Sequence, residues 1–185
     1  MYKRQRYNNI SNIFFENKGK YISKDIKIKS NKINPDILYY DNNLIYHDNR
    51  GNIFVQSLST KKIEFKYNFY KKYYKKIKKK LSVVLKNNLI IVSDNLGYIY
   101  SLDISKKKLI WAVNLGKPFF SNIKIIGDEV ILSDIGNKII SLSVFNGKKN
   151  WDFFTDFNIL KTKYQNNFAI DNDDNIIFLN SNGNI

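Results

Sequence analysis

At 185 residues and 21.9 kDa, with 43% hydrophobic residues and a mean hydropathy of -0.40, the chain is long enough for one domain, or part of a larger one, and has no apolar run near the roughly 18 residues of a membrane-spanning helix. No cysteine and a single histidine, His47, exclude disulfides, thiol nucleophiles and the usual Cys/His zinc sites, and with them most hydrolase triads. The net charge of +15 suggests an anionic partner, yet Arg4, Arg6 and Arg50 are the only arginines, and Lys, Asn, Ile, Tyr and Phe, whose codons are A/T-rich, make up 109 residues, so a biased genome accounts for much of the basicity.

In chain order, residues 1–6 fit no pattern and read as a leader outside the fold. NIFFENKGKYI from Asn12 is a faint first copy of a motif that recurs below, with Gly19 in its turn. NNLIYHDNRGNIFV from Asn42, NNLIIVSDNLGYIYSL from Asn87, DEVILSDIGNKIISL from Asp128 and DNIIFLNSNGNI from Asp174 are clear copies: an apolar strand, a polar turn and a second strand. Gly51 and Gly97 are 46 residues apart, Asp94 and Asp134 are 40 apart, and Gly97 and Gly183 are 86 apart, two repeats. The repeats run approximately 7–41, 42–86, 87–127, 128–173 and a truncated 174–185. In the third copy the glycine moves by one residue to Gly136, which predicts a different turn there.

The elements themselves read as strands. Tyr98, Tyr100, Leu102 and Ile104 alternate with Ser101 and Asp103, and Ile140, Leu142 and Val144 with Ser141 and Ser143, the period of a half-buried strand. Alanine, the best helix former, occurs only as Ala112 and Ala169, whereas β-branched and aromatic runs are punctuated by Asn, Asp, Gly and Ser. Turns such as DNRG, DNLG and NSNG link adjacent antiparallel strands, because Asn, Asp and Gly tolerate positive φ. Each copy continues into a second hairpin: VQSLSTKKIEF to Phe65, SLDISKKKLIW to Trp111 and SLSVFNGKKNW to Trp151, turning near Ser105–Lys107 and Asn146–Gly147.

A unit of 40 to 46 residues with about four strands has the size of a β-propeller blade. The predicted fold is all-β, a partial propeller of about four antiparallel four-stranded blades. SLDISKKKLIW and SLSVFNGKKNW resemble the repeat of the pyrroloquinoline-quinone (PQQ)-type propeller family, in which a strand ending Ala-Leu-Asp is followed by a Thr-Gly-Lys turn and a Trp. Leu102, Asp103, Trp111, Asn146, Gly147, Lys148 and Trp151 fit, and Ser101 and Ser141 replace the small residue. The resemblance covers about residues 42 to 185. It implies seven or eight blades in a whole ring, and the stop at Ile185 just after the Gly183 turn then reads as a piece of a longer chain.

That family contains quinone-dependent dehydrogenases and non-enzymatic scaffolds. The dehydrogenases use a catalytic Asp, a calcium site of Glu and Asn and often a vicinal cysteine pair; this chain has no cysteine, and Glu16, Glu64 and Glu129 stand at unrelated repeat positions. No catalytic residue, cofactor or metal is expected. Gly51, Gly97, Gly183, Asp94, Asp134, Phe65, Trp111 and Trp151 read as structural repeat positions, since a repeated aromatic is what blade packing requires. Asp48 recurs in the same way. Asp171, Asp173 and Asn175 alternate like a calcium loop, but Ile176 stands where glycine and Asn182 where glutamate is required. His47, without a second histidine, reads as a surface or turn residue.

YKKYYKKIKKK, Tyr70 to Lys80, lies between two repeats and reads as a rim loop. Its seven lysines, Lys71, Lys72, Lys75, Lys76, Lys78, Lys79 and Lys80, with Tyr73 and Tyr74 between them, suit an acidic protein or a membrane surface, or an edge kept from aggregating. Nucleic acid is disfavoured by the lack of arginine. The resemblance implies a scaffold at the periplasmic face of the outer membrane, binding protein partners of β-barrel assembly, with no small-molecule substrate; residues 1–6 carry no hydrophobic leader segment. The alternatives are a piece of a quinone-dependent dehydrogenase and a propeller that binds an anionic partner through the lysine loop.

Overall fold

A computed structural model describes residues 37–70, 74, 76–155 and 165–185. The faint copy around Gly19, residues 1–6 and Lys71, Lys72, Tyr73 and Lys75 lie outside the described residues. Three four-stranded antiparallel meanders follow one another. The first is β1 (Leu38–Tyr40), β2 (Asn43–His47), β3 (Asn52–Ser57) and β4 (Ile63–Asn68). The second is β5 (Leu81–Lys86), β6 (Leu89–Asp94), β7 (Tyr98–Asp103) and β8 (Lys108–Asn114), and the third is β9 (Lys124–Ile126), β10 (Glu129–Ser133), β11 (Lys138–Ser143) and β12 (Lys149–Phe154). A two-stranded sheet, β13 (Asn167–Ile170) and β14 (Ile176–Leu179), begins a fourth. There is no α-helix among the described residues.

The sequence repeats and the sheets are offset by one strand. Asn42, Asn87, Asp128 and Asp174, where the sequence copies begin, all lie in the turn between the first and second strands of a sheet. Asp41 and Asn42 (φ 45 and 59), Asn87 (φ 52), Gly127 (φ 52) and Asp174 (φ 60) place left-handed residues there, as tight hairpins need. Each sequence copy therefore holds strands two to four of one sheet and the first strand of the next.

The turn between strands two and three has the same geometry in all three complete sheets. The Oδ1 atom of Asp48 accepts hydrogen bonds from the N–H of Arg50 (2.9 Å) and Asn52 (3.0 Å). Asp94 does so from Leu96 and Tyr98, both 2.8 Å, and Asp134 from Gly136 (2.7 Å) and Lys138 (3.1 Å). In the third turn the left-handed position is held by Asn137 (φ 64), aligned with Gly51 (φ 85) and Gly97 (φ 87). The expectation of a different turn is overturned: Asn tolerates that conformation through its short polar side chain, so the shift of the glycine leaves the backbone unchanged. Asp171 and Asn180 build the same turn again, with Asp174 and Gly183 left-handed.

Sheets pack face to face, and adjacent residues of one strand point to opposite neighbours. Leu38, Ile45, Ile53, Val55 and Phe65 of the first sheet meet Val83, Ile90, Val92, Tyr100 and Leu102 of the second. On the other side of the second sheet, Val84, Ile91, Ile99 and Trp111 meet Val130, Leu132, Ile140, Leu142 and Val144 of the third. Ile131 and Ile139 then meet Phe168 and Phe178. The half-buried reading of β7 and β11 is corrected accordingly: Ser101 and Ser141 are 0% exposed, as Leu102 and Leu142 are. A strand between two sheets is covered on both faces, and serine supplies the polar half of the alternation without bulk.

Candidate functional site

The repeated aromatics sit at one register position. Phe65 pairs with Val55, Trp111 with Ser101 and Trp151 with Ser141, each immediately before a bulge in the pairing of strands three and four. Trp111, buried, crosses to the third sheet: its Nε1 donates to the Val144 carbonyl at 2.8 Å. A Cβ on Gly147 would lie 2.5 Å from the Trp111 ring, so the turn can pass over the indole only as glycine. The equivalent turn residue one sheet earlier is Lys107, also left-handed at φ 52, and the aromatic contributed by the sheet before it is the smaller Phe65.

Trp151 departs from the buried structural role. It is 37% exposed against 8% for Trp111, and its Nε1 donates to Glu129 Oε2 at 3.0 Å, an acceptor that Ser141 Oγ shares at 2.7 Å. Among the described residues the fourth sheet has no third or fourth strand, and therefore no counterpart of Val144 and Gly147. Trp151 lines instead an open apolar cleft of about 730 Å³ with Phe154, Ile177 and Ile185.

The turn glycines carry a second constraint, visible only in three dimensions. A Cβ on Gly51 would lie 2.2 Å from the Tyr70 ring, and one on Gly97 2.8 Å from the Lys117 carbonyl oxygen. The connections between sheets thus cross directly over the turns. Around Gly183 nothing approaches within 4 Å.

The connection from β4 to β5 is anchored by groups that the lysine count concealed. Phe69 stacks on Tyr100, centroids 4.6 Å apart. Tyr70, buried, donates its hydroxyl proton to Asp94 Oδ2 at 2.6 Å. Lys79 is 1% exposed, with its ammonium 4.7 Å from the centre of the Tyr70 ring and donating to the Tyr74 carbonyl. Lys79 is therefore corrected from a partner-binding residue to an internal anchor, and Lys76, Lys78 and Lys80 remain exposed. Burial lifts the Asp94 carboxyl above the usual aspartate range, against the Tyr70 hydroxyl and the N–H groups of Tyr98, Leu96 and Gly97, which favour its charged form. Burial also draws the Lys79 ammonium below the usual lysine range, against the pull of Asp94 and Asp48. The signal in the sequence was the position of Tyr70, two residues after β4 and before the lysines.

The remaining candidates are accounted for locally. The surface-or-turn reading of His47 is corrected: it is the last residue of β2, buried and paired with Ile53 between strands. Asp171 uses both carboxylate oxygens within its own turn, accepting from the backbone and the side-chain amide of Asn175 at 2.8 Å each. No cluster of three or more potential metal-binding residues occurs among the described residues.

No family model matches the sequence, and no curated protein matches it. Solved structures do match. BamB from Moraxella catarrhalis superposes with a TM-score of 0.53 at 18% identity, over 65% of this chain and 34% of that one. A quinohemoprotein alcohol dehydrogenase from Pseudomonas putida gives a TM-score of 0.54 at 11% identity, over 64% of this chain and 20% of that one. A europium-containing methanol dehydrogenase gives 0.52 at 14%, over 63% and 23%. The protein has the fold of a β-propeller, in partial form. The chain spans about a third of the length of the BamB it matches.

Proposed function

We propose that the chain belongs to a non-enzymatic scaffold of the BamB kind, acting by protein-protein binding among outer-membrane β-barrel assembly factors at the periplasmic face of that membrane. The observation that supports a binding role is that residues able to do chemistry in this repeat are used in packing. Trp111 has its ring against Gly147 and its nitrogen on Val144, and Asp48, Asp94 and Asp134 hold the backbone of their own turns. What they leave exposed are rim loops on a rigid stack of sheets, a platform suited to partners. The test is affinity capture by the chain from outer-membrane extracts. Enrichment of β-barrel assembly components over a chain unfolded by Ile91→Asp supports the scaffold; equal recovery on both counts against it.

A second reading, a piece of a quinone-dependent dehydrogenase, is favoured by the likeness to the two dehydrogenases. It predicts that pyrroloquinoline quinone with calcium raises the unfolding temperature of the chain, and the scaffold reading predicts no shift.

A further inference from the structure

Strands alternate in direction, so the turns after β2, β6 and β10 and the connections β4 to β5 and β8 to β9 all emerge at one end of the stack. Hydrogen bonds tie them into one surface. Lys79 N–H donates to the Asn49 carbonyl at 3.0 Å, Lys80 N–H to Asn95 Oδ1 at 2.9 Å, the Asn95 amide to the Lys78 carbonyl at 3.3 Å, and Ile135 N–H to the Pro118 carbonyl at 2.9 Å. Among the described residues five cations stand exposed on it: Arg50, Lys76, Lys78, Lys80 and Lys117. None of them forms an ion pair with a described residue. Among the described residues the acids in the turns at this end, Asp48, Asp94 and Asp134, lie beneath in the turns they hold, Asp94 and Asp134 fully buried. At the opposite end two bases pair with acids, Lys86 with Asp128 and Lys106 with Asp103, both 3.7 Å, while the exposed Lys62, Lys107 and Lys148 form no ion pair with a described residue.

We propose that this end of the stack docks on a lipid surface bearing anionic phosphate headgroups, through Arg50, Lys76, Lys78, Lys80 and Lys117, with Ile77 entering the interface. Ile77 is 41% exposed between two of the lysines, and an apolar side chain among lysines suits the boundary between headgroup and acyl chain. Four of the five cations are lysines, point charges on long stems without the planar fork that reads one carboxylate or phosphate. Of the five only Lys80 lines the pocket of about 250 Å³ that opens at this end beside Asn95 and Pro118, and an array spread outside a pocket responds to a diffuse negative plane. Tyr70, Phe69 and Lys79 anchor the connection from within, so Lys76, Lys78 and Lys80 are presented on a fixed base. The inference goes beyond the scaffold reading and does not depend on it.

The full chain is sedimented with vesicles of phosphatidylcholine alone and of phosphatidylcholine mixed with phosphatidylglycerol. Binding is expected only to the mixed vesicles. The triple variant Lys76→Gln, Lys78→Gln, Lys80→Gln is expected to weaken it roughly 100-fold. The opposite-end triple Lys62→Gln, Lys107→Gln, Lys148→Gln removes the same charge about 20 Å away, beyond the screening length, and is expected to change it less than about 3-fold. Thermal unfolding verifies that both variants fold. An equal loss in the two triples, reporting net charge alone, overturns the proposal, as does binding to neutral vesicles. Retention on immobilised polyglutamate without vesicle binding assigns the surface to an acidic protein, and displacement by millimolar inorganic phosphate assigns it to free phosphate; either result overturns it too.

Discussion

Trp111 and Gly147 belong to different sheets, yet each determines what the other can be: the indole lies where a Cβ on residue 147 would fall, 2.5 Å from its ring. Gly147 is also left-handed, at φ 68. Gly147→Ala therefore combines backbone strain with overpacking and is expected to cost about 2–4 kcal/mol in urea unfolding. Trp111→Phe in the same chain should recover part of that loss. Strict additivity in the double-mutant cycle would show that the two residues do not share the site.

The two tryptophans should separate sharply on truncation. Trp111→Ala empties a buried site and leaves the Val144 carbonyl unpaired, for an expected loss of about 3–5 kcal/mol. Trp151→Ala, at a half-exposed position, is expected to cost under about 1.5 kcal/mol. Equal losses would refute the difference in packing.

Tyr70 to Asp94 is the anchor of the lysine loop. Tyr70→Phe keeps the ring over Gly51 but removes the hydrogen bond of 2.6 Å and leaves a buried carboxylate with one fewer donor, an expected cost of about 2–3 kcal/mol. In Asp94→Asn the further loss from Tyr70→Phe should be smaller, and hydrogen exchange at the Lys79 and Lys80 amides, bonded to Asn49 and Asn95, should accelerate in step with the destabilisation.

The third turn can be checked directly. Since Asn137 and not Gly136 is left-handed, Gly136→Ala is expected to cost under about 1 kcal/mol. Gly97→Ala, at φ 87 and with a Cβ position 2.8 Å from the Lys117 carbonyl, is expected to cost at least about 2 kcal/mol. Chemical denaturation of the two variants side by side decides the matter.

Asp103 gives a pH signature. Burial alone raises its carboxyl, but the N–H groups of Lys106 and Ser105, the Lys106 charge and the Asn88 amide outweigh burial and hold it below its ordinary 3.8. A depressed carboxyl stabilises the fold above its unfolded value and loses that contribution as pH falls through the folded one. The wild type should thus exceed Asp103→Asn by about 1–2 kcal/mol at neutral pH, with the gap closing from near pH 4 downward. Unfolding midpoints along an acid series measure it, and a constant gap would exclude the linkage.

The repeat was legible because each sheet repeats the same local demands: a left-handed residue in the turn, an aspartate to hold it, an aromatic before the bulge. Local demands leave local marks, which is why Gly51, Gly97, Asp94, Asp134 and Trp111 stood out by spacing. The surface was less legible. Lys79 is chemically identical to Lys78 and Lys80, and its side chain is buried against the Tyr70 ring and the Tyr74 carbonyl because the loop folds back over the Asp48 turn, where the Lys79 N–H meets the Asn49 carbonyl.

By itself the sequence determined the strand pattern, the repeat length and the residues of each turn, because hairpins are governed by neighbours a few positions apart. Only the tertiary structure decided that β7 and β11 are covered on both faces, that Gly147 answers to Trp111, that Trp151 is exposed where Trp111 is buried, and which lysines face outward. Those outcomes depend on which sheet or loop lies alongside, and the contacts that decide them join residues well apart in the chain, 33 positions in the case of Trp111 and Val144.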